Sequence, residues 1–343
     1  MNTPENEWRT SNRRFSINHQ PSKFSNHAKS HPVRGYLYIG AATFLWGIAA
    51  TLGRAVFTGR FFFTGQALRP IDPLILSQGR TTFSLLVLLP VLLIRRGRDL
   101  RLPAVDLGQC FLLGVLGVAA SNYLYYLAIQ KTNVATAIIL QYTAPVWVLL
   151  YMVTRGQQRV TTKRVSAVAL AVVGSALAIG IVGSGGFRLN TVGVMAALAA
   201  AFSFAFYNVG GHRILARYDR WKVLLYTLLS ASAFWMVVNP TWKVAAAHYS
   251  AGQYIFLFVF SLISVLGPFS CYFAGLQHLE PTRAIVASCL EPVFSIVLAA
   301  LILGEVMRPV QTLGILIVLA AILLVQMPER GMAEEATVVE PIE

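Results

Sequence analysis

Charge is scarce in this chain. Asp, Glu, Lys and Arg make up 12% of its 343 residues, about half the share found in a soluble domain. A water-soluble fold of this length would lack the polar groups needed to cover its surface, because 56% of the residues are hydrophobic and the mean hydropathy is +0.62. Cysteine is scarcer still. Cys110, Cys271 and Cys289 all lie inside apolar runs, which argues against a disulfide framework or a metal site and leaves them as small hydrophobes. Catalytic signatures are missing as well: there is no nucleophile elbow, phosphate loop or metal-ligand cluster. The six His are scattered over the N-terminal stretch, two loops and one helix end. The expectation is a protein that is not an enzyme and takes no cofactor. With no ATP-binding module, any work it does must draw on a gradient or on exchange.

Acid is the rarer charge. Asp and Glu number 14 against 28 Lys and Arg, a formal net charge of +14. Nucleic-acid binding would gather those cations on one polar face. Here they fall in short clusters between apolar runs, the distribution that membrane topology imposes. The expected partner is therefore the lipid bilayer and not nucleic acid.

What the chain has in quantity is long apolar runs. Roughly 20 apolar residues cross the hydrocarbon as a helix. Ten stretches qualify: 36–57, 73–94, 107–129, 132–153, 165–184, 191–210, 222–239, 254–276, 281–302 and 310–327. The seventh is cut short by Asn239-Pro240. Residues 1–34 are polar and read as a disordered cytoplasmic tail, and the acidic stretch 328–343 as a second tail. With the N-terminus inside, 20 of the 28 Lys and Arg fall in inner segments and 6 in outer loops. That asymmetry predicts ten spans in a cell membrane with both termini cytoplasmic.

An internal repeat lies beneath the runs. At an offset of 147 residues Tyr125 meets Tyr272, Gln130 meets Gln277, Ala137 meets Ala284, Ile138 meets Ile285, and Pro145-Val146 meets Pro292-Val293. The two prolines fall mid-helix, where chance prolines are costly. The first five helices (36–184) and the last five (191–327) therefore read as duplicated halves. Five is odd, so the second half must insert upside down. Inverted repeats are typical of transporters, with the site near the midplane between the halves.

With these residues in place, the chain resembles the drug/metabolite transporter superfamily, EamA type. The likeness is carried by Trp46-Gly47 in the first helix, Arg80 in the second, Tyr142-Thr143-Ala144-Pro145 in the fourth, Leu290-Glu291-Pro292-Val293 in the ninth, and Leu303-Gly304-Glu305 just after it. It covers residues 36–327, and it is the order of all these motifs over two repeats that makes it specific. The chain departs from the pattern twice. Arg155-Gly156-Gln157 stands in the first repeat where the second has Leu303-Gly304-Glu305, and the loop 58–72, with Phe61-Phe62-Phe63, is longer than the family's short first connection. The resemblance implies a secondary transporter working by alternating access, with export of amino acids, related metabolites or drugs as the common activities.

A charge inside the bilayer is expensive and suggests function by default. Glu291 lies ten residues into the ninth helix, near the midplane at about 1.5 Å per residue. Pro292 follows it and frees the Ser288 carbonyl; a carboxylate there can bind a cation, a proton or a substrate amine, or serve as a structural acid. Arg80 lies seven residues into the second helix and is expected as a gate or ion-pair residue, with Glu291 as one possible partner. Gln141 loses its carbonyl's usual donor to Pro145 and is the repeat partner of Ser288. Two broken helices at equivalent positions are the best sequence pointer to a transporter site. Trp46, Asn122, Gln141, Tyr142, Tyr207, Asn208 and Glu291 are accordingly expected to line the substrate path, with Pro145 and Pro292 as the helix breaks. For each of these residues the competing reading is plain helix packing or interhelical hydrogen bonding. Amide and aromatic groups with little net charge favour a zwitterionic or neutral substrate. A proton is a candidate coupling ion. The rival from another class is a non-transporting scaffold or receptor, in which every midplane polar group would pair internally and no cavity would remain.

Overall fold

The computed structural model describes residues 31–57, 62–63, 66–67, 71–96, 100–132, 134–179, 190–303 and 307–327. Among them the fold is helical apart from one antiparallel pair of two-residue strands, in which Phe62 faces Ala67 and Phe63 faces Gln66. That pair lies in the long first loop, whose other residues up to 70 lie outside the described ones. Among the described residues, nine helical stretches are long and apolar enough to cross a membrane. A further helix, α7 (Thr162–Ala178), has 17 residues, and description stops one residue beyond it, at 179. The stretch expected over 165–184 corresponds to α7, the fifth in chain order, and brings the number of crossings to ten.

The crossings are built as follows. α1 (Pro32–Phe57) and α2 (Pro73–Arg96) are continuous. The third comprises α3 (Ala104–Leu112), a π-helical segment Leu113–Ala119, and α4 (Ala120–Lys131). The fourth is two pieces, α5 (Val134–Gln141) and α6 (Ala144–Thr154). α7 is the fifth, α8 (Thr191–Leu215) the sixth and α9 (Arg220–Val238) the seventh. A short α10 (Thr241–Ala246) follows Pro240. The eighth crossing comprises α11 (Ala251–Ser261), a π-helical segment Leu262–Leu266, and α12 (Gly267–Leu276). The ninth is α13 (Pro281–Ser288) and α14 (Leu290–Leu303), and the tenth is α15 (Pro309–Gln326). Because α1 begins at Pro32, residues 32–34 belong to the first helix and not to the tail expected over 1–34.

Local chemistry starts these helices where the chain needs them. Thr161, Asn190 and Asp219 accept backbone N–H bonds at the starts of α7, α8 and α9, at 3.3, 3.2 and 3.0 Å. Ser250 and Gln253 cap α11 reciprocally. Each cap satisfies N–H groups that would otherwise be orphaned.

The 147-residue offset maps architecture onto architecture. It carries the π segment of the third crossing onto that of the eighth, and the break at Tyr142-Thr143 onto the break at Cys289. Packing follows the same exchange. α1 lies against the eighth and ninth crossings, α8 against the third and fourth, α7 against α15, and α2 against α9. A two-fold relation between the halves produces such a pattern.

Close approach depends on small residues, since lipid supplies no hydrophobic drive to hold helices together. At the α7–α15 contact a Cβ on Gly174 would lie 2.8 Å from the Val318 nitrogen, and one on Gly314 would collide with the Ala178 backbone. Gly314→Leu should therefore cost about 1–3 kcal/mol by overpacking and lower the thermal midpoint in detergent. Gly40→Ala, with nothing within 4 Å of the added Cβ, should leave it unchanged or slightly raised. Equal midpoints for the two variants would contradict this packing.

Candidate functional site: a cavity between the two helix breaks

The two breaks face each other. Pro145 and Pro292 have no N–H to return to Gln141 and Ser288, so each helix loses a bond at mid-depth. The chain turns there: the Thr143 hydroxyl donates to the Leu140 carbonyl at 2.6 Å, and Ser288 to Ile285 at 2.7 Å. The Tyr142 hydroxyl, from the first break, is hydrogen-bonded to the Glu291 carboxyl group beside the second.

Around this junction lies a cavity of about 270 Å³. Its wall includes Trp46, Arg80, Asn122, Gln141, Tyr142, Pro145, Tyr207, Glu291 and Pro292, so nine of the ten residues singled out above converge on one space. Asn208 does not. It is fully buried behind the wall and donates to the Tyr272 hydroxyl. Consecutive residues of a helix point about 100° apart, and Tyr207 takes the cavity side.

Several side chains are positioned by irregular backbone. The Trp46 indole N–H donates at 3.2 Å to the carbonyl of Ser264, within the second π segment. Its ring packs edge-on against Phe269 at 5.5 Å and tilted against Tyr272 at the same distance. Gly117, in the first π segment, leaves room for Tyr207, whose Cβ a Gly117 side chain would meet at 2.9 Å. The Tyr207 ring stacks on Phe273 at 5.2 Å while its hydroxyl has no partner. Asn122 donates back to Val118 of its own helix at 2.9 Å.

Arg80 departs from expectation. It makes no ion pair with Glu291, whose carboxyl group is engaged by Tyr142, yet the guanidinium stands close enough for its charge to act on that carboxyl group. The guanidinium lies 5.8 Å from the centre of the Phe260 ring, and its Nε is buried without a hydrogen-bond partner. Five polar wall residues fell outside the sequence expectations: Ser121, Tyr125, Ser288, Ser295 and Gln311. Ser288 and Ser295 follow from Glu291 at helical spacing, three before and four after, and that signal was available.

Among the described residues, the cavity lining reaches the helix ends at one face. At its mouth are Ile179, at the end of α7, and Met307 and Gln311, at the start of the last crossing, with Met307 41% exposed. Its floor is Tyr207, Phe269 and the fully buried Ile285. Beyond the floor, toward the face that carries the start of α1, a polar tie joins the two halves. Gln158, in the loop after α6, donates to Glu280 at 3.0 Å and accepts from Thr282 at 2.7 Å, and Arg164 pairs with Glu280 at 3.8 Å. On the same face Arg217 pairs with Asp106 at 2.6 Å. Tyr218 donates to Asp106 at 2.5 Å, and that bond raises the Tyr218 hydroxyl above its ordinary pKa.

Comparison with known proteins agrees with this architecture. The EamA-like transporter family matches the chain twice, over residues 33–180 and 191–327. An uncharacterized inner membrane transporter, YicL, of Salmonella typhimurium is 24% identical over 88% of this chain and 98% of its own length. The threonine/homoserine exporter RhtA of Escherichia coli is 28% identical over 66% of this chain and 72% of its own. A probable terminal-alkyne amino-acid exporter of Streptantibioticus cattleyicolor is 27% identical over 68% and 78%. One solved crystal structure superposes with a TM-score of 0.69 over 85% of this chain and 95% of the other, at 18% identity, a likeness of fold alone.

The cavity predicts a labelling pattern. In a background without the three native cysteines, Gln141→Cys and Ser295→Cys should react with a small maleimide in intact protein. Thr43→Cys and Thr227→Cys, both 0% exposed, should not. Protection of all four would mean that no water reaches this space.

Proposed function

Because the chain belongs to the EamA-like transporter family, we propose that this small-molecule transporter exports a small amino-acid-type metabolite by alternating access around the cavity between its helix breaks. The observation that carries this reading is a cavity on the junction of the halves whose lining, among the described residues, reaches the helix ends of one face and stops short of the other. The named relatives whose substrates are stated are amino-acid exporters, and cavity groups left without internal partners speak against a scaffold. The excess of Lys and Arg on the inner segments supports cytoplasmic termini. In that orientation the Met307–Gln311 mouth is extracytoplasmic, and the conformation is outward-facing with its cytoplasmic side shut.

Trp46, Asn122, Gln141, Tyr142, Tyr207 and Glu291 are the substrate-contacting residues in this reading. Amide, phenol and indole groups supply oriented donors and acceptors around the ligand. Glu291 faces the ligand at the break and is the group that would carry a proton if transport is coupled to one. The Gln158–Thr282–Glu280–Arg164 tie holds the cytoplasmic side closed. Rocking of one half against the other must open it before substrate can enter from the cell interior.

Three measurements test this. Proteoliposomes loaded with a mixed pool of labelled amino acids and small metabolites should lose a defined subset through wild type and lose it at least tenfold more slowly through Glu291→Gln; retention of the entire pool by folded, inserted protein would sink the transport reading. Proton coupling makes wild-type efflux respond to an imposed pH gradient, and a rate indifferent to that gradient removes the proton while leaving transport. Gln158→Leu removes the two Gln158 bonds and leaves the Arg164–Glu280 pair, a loss of about 1–3 kcal/mol, and should let a thiol reagent reach Ile285→Cys from the cytoplasmic side of inside-out vesicles. Unchanged labelling there would mean that the closure lies elsewhere.

A further inference from the structure

Arg80 carries its charge without a contact partner. Among the described residues no hydrogen bond or ion pair involves it, and its Nε is buried and unpartnered. Nor does its helix need it for attachment. α2 is fastened on other sides, by Gln78 accepting from Asn239 at 2.8 Å and by Ser84 donating to the Ser261 carbonyl at 3.0 Å. The stacking on Phe260 orients the guanidinium without neutralising it. Glu291 lies within electrostatic reach of the guanidinium but not in contact with it; a cation held within the bilayer without a contacting anion is unfavourable, and the cost is offset if a carboxylate arrives from outside the chain. The space in front of Arg80 is the cavity itself.

We infer that Arg80 is the anchor for the substrate's carboxylate, and that with Glu291 on the same cavity wall it selects small zwitterions carrying one carboxylate and one amine. The guanidinium fork matches a carboxylate with two parallel N–H bonds, where an ammonium would offer only a point charge. Glu291, oriented by Tyr142, is left to receive the ammonium end. The inference rests on the export reading above and names the group that reads the carboxylate.

The test separates the two. Proteoliposomes carrying wild type, Arg80→Gln or Arg80→Lys are loaded with labelled L-threonine, L-homoserine and L-alanine, or with their amides, which keep the amine and lack the carboxylate. Wild type should release at least one of the acids ten times faster than its amide. Arg80→Gln should slow that acid at least tenfold and leave the amide within twofold, with Arg80→Lys in between. The thermal midpoint of Arg80→Gln without ligand should stay close to that of wild type, because no hydrogen bond or ion pair is lost. A lower midpoint for Arg80→Gln, or an equal loss for acid and amide, would make Arg80 structural and overturn the inference. Wild type that releases amides as fast as acids overturns it while leaving export intact. Wild type that releases none of the six brings down this inference and the amino-acid reading together.

Discussion

A backbone carbonyl without a partner costs several kcal/mol in hydrocarbon, and Pro145 and Pro292 each create one. Such breaks can stand at mid-depth only where the freed groups face protein or water. The two broken crossings are therefore turned inward and toward each other, with Tyr142 of one bonded to Glu291 of the other. The π segments Leu113–Ala119 and Leu262–Leu266 obey the same rule. The irregular turn in the eighth crossing gives the Ser264 carbonyl to Trp46, and the one in the third makes room for Tyr207. The site exists because irregular backbone has nowhere else to go.

The scaffold is duplicated and the chemistry is not. Ile138 and Ile285, Pro145 and Pro292, Gln141 and Ser288, and Asn122 and Phe269 are related by the 147-residue offset, and all eight lie on the cavity wall. The charges break this symmetry. Glu291 corresponds to Ala144, and Arg80 corresponds to the fully buried Thr227. A two-fold scaffold supplies two equivalent closures, one for each face. The single acid and single base give the ligand one orientation in a space that would otherwise accept either.

The tie at Gln158 shows how one sequence holds two states. Its groups come from a loop of the first half and the start of α13 in the second, so it strengthens one closure without stiffening either half. The offset takes Arg164 to Gln311 and Thr282 to Ala135. The bonded residues of the tie are thus not repeated in the other half, and Gln311 lies on the cavity wall.

By itself the sequence determined the ten crossings, the duplication and the place of both breaks. Span length, proline chemistry and charge asymmetry are local properties that lipid enforces residue by residue. It also singled out nine of the cavity residues, because a polar or aromatic group at mid-depth in a helix has few tolerable places to be. Only the tertiary structure decided which neighbours these groups meet. It turned Tyr207 to the cavity and Asn208 to Tyr272, a difference of about 100° that helix packing settles and depth along the chain does not encode. It gave Glu291 to Tyr142 instead of Arg80, and it joined Gln158 to Glu280 and Thr282 across 122 and 124 residues. Pairing of that kind depends on how the two halves meet, and no single helix carries that information.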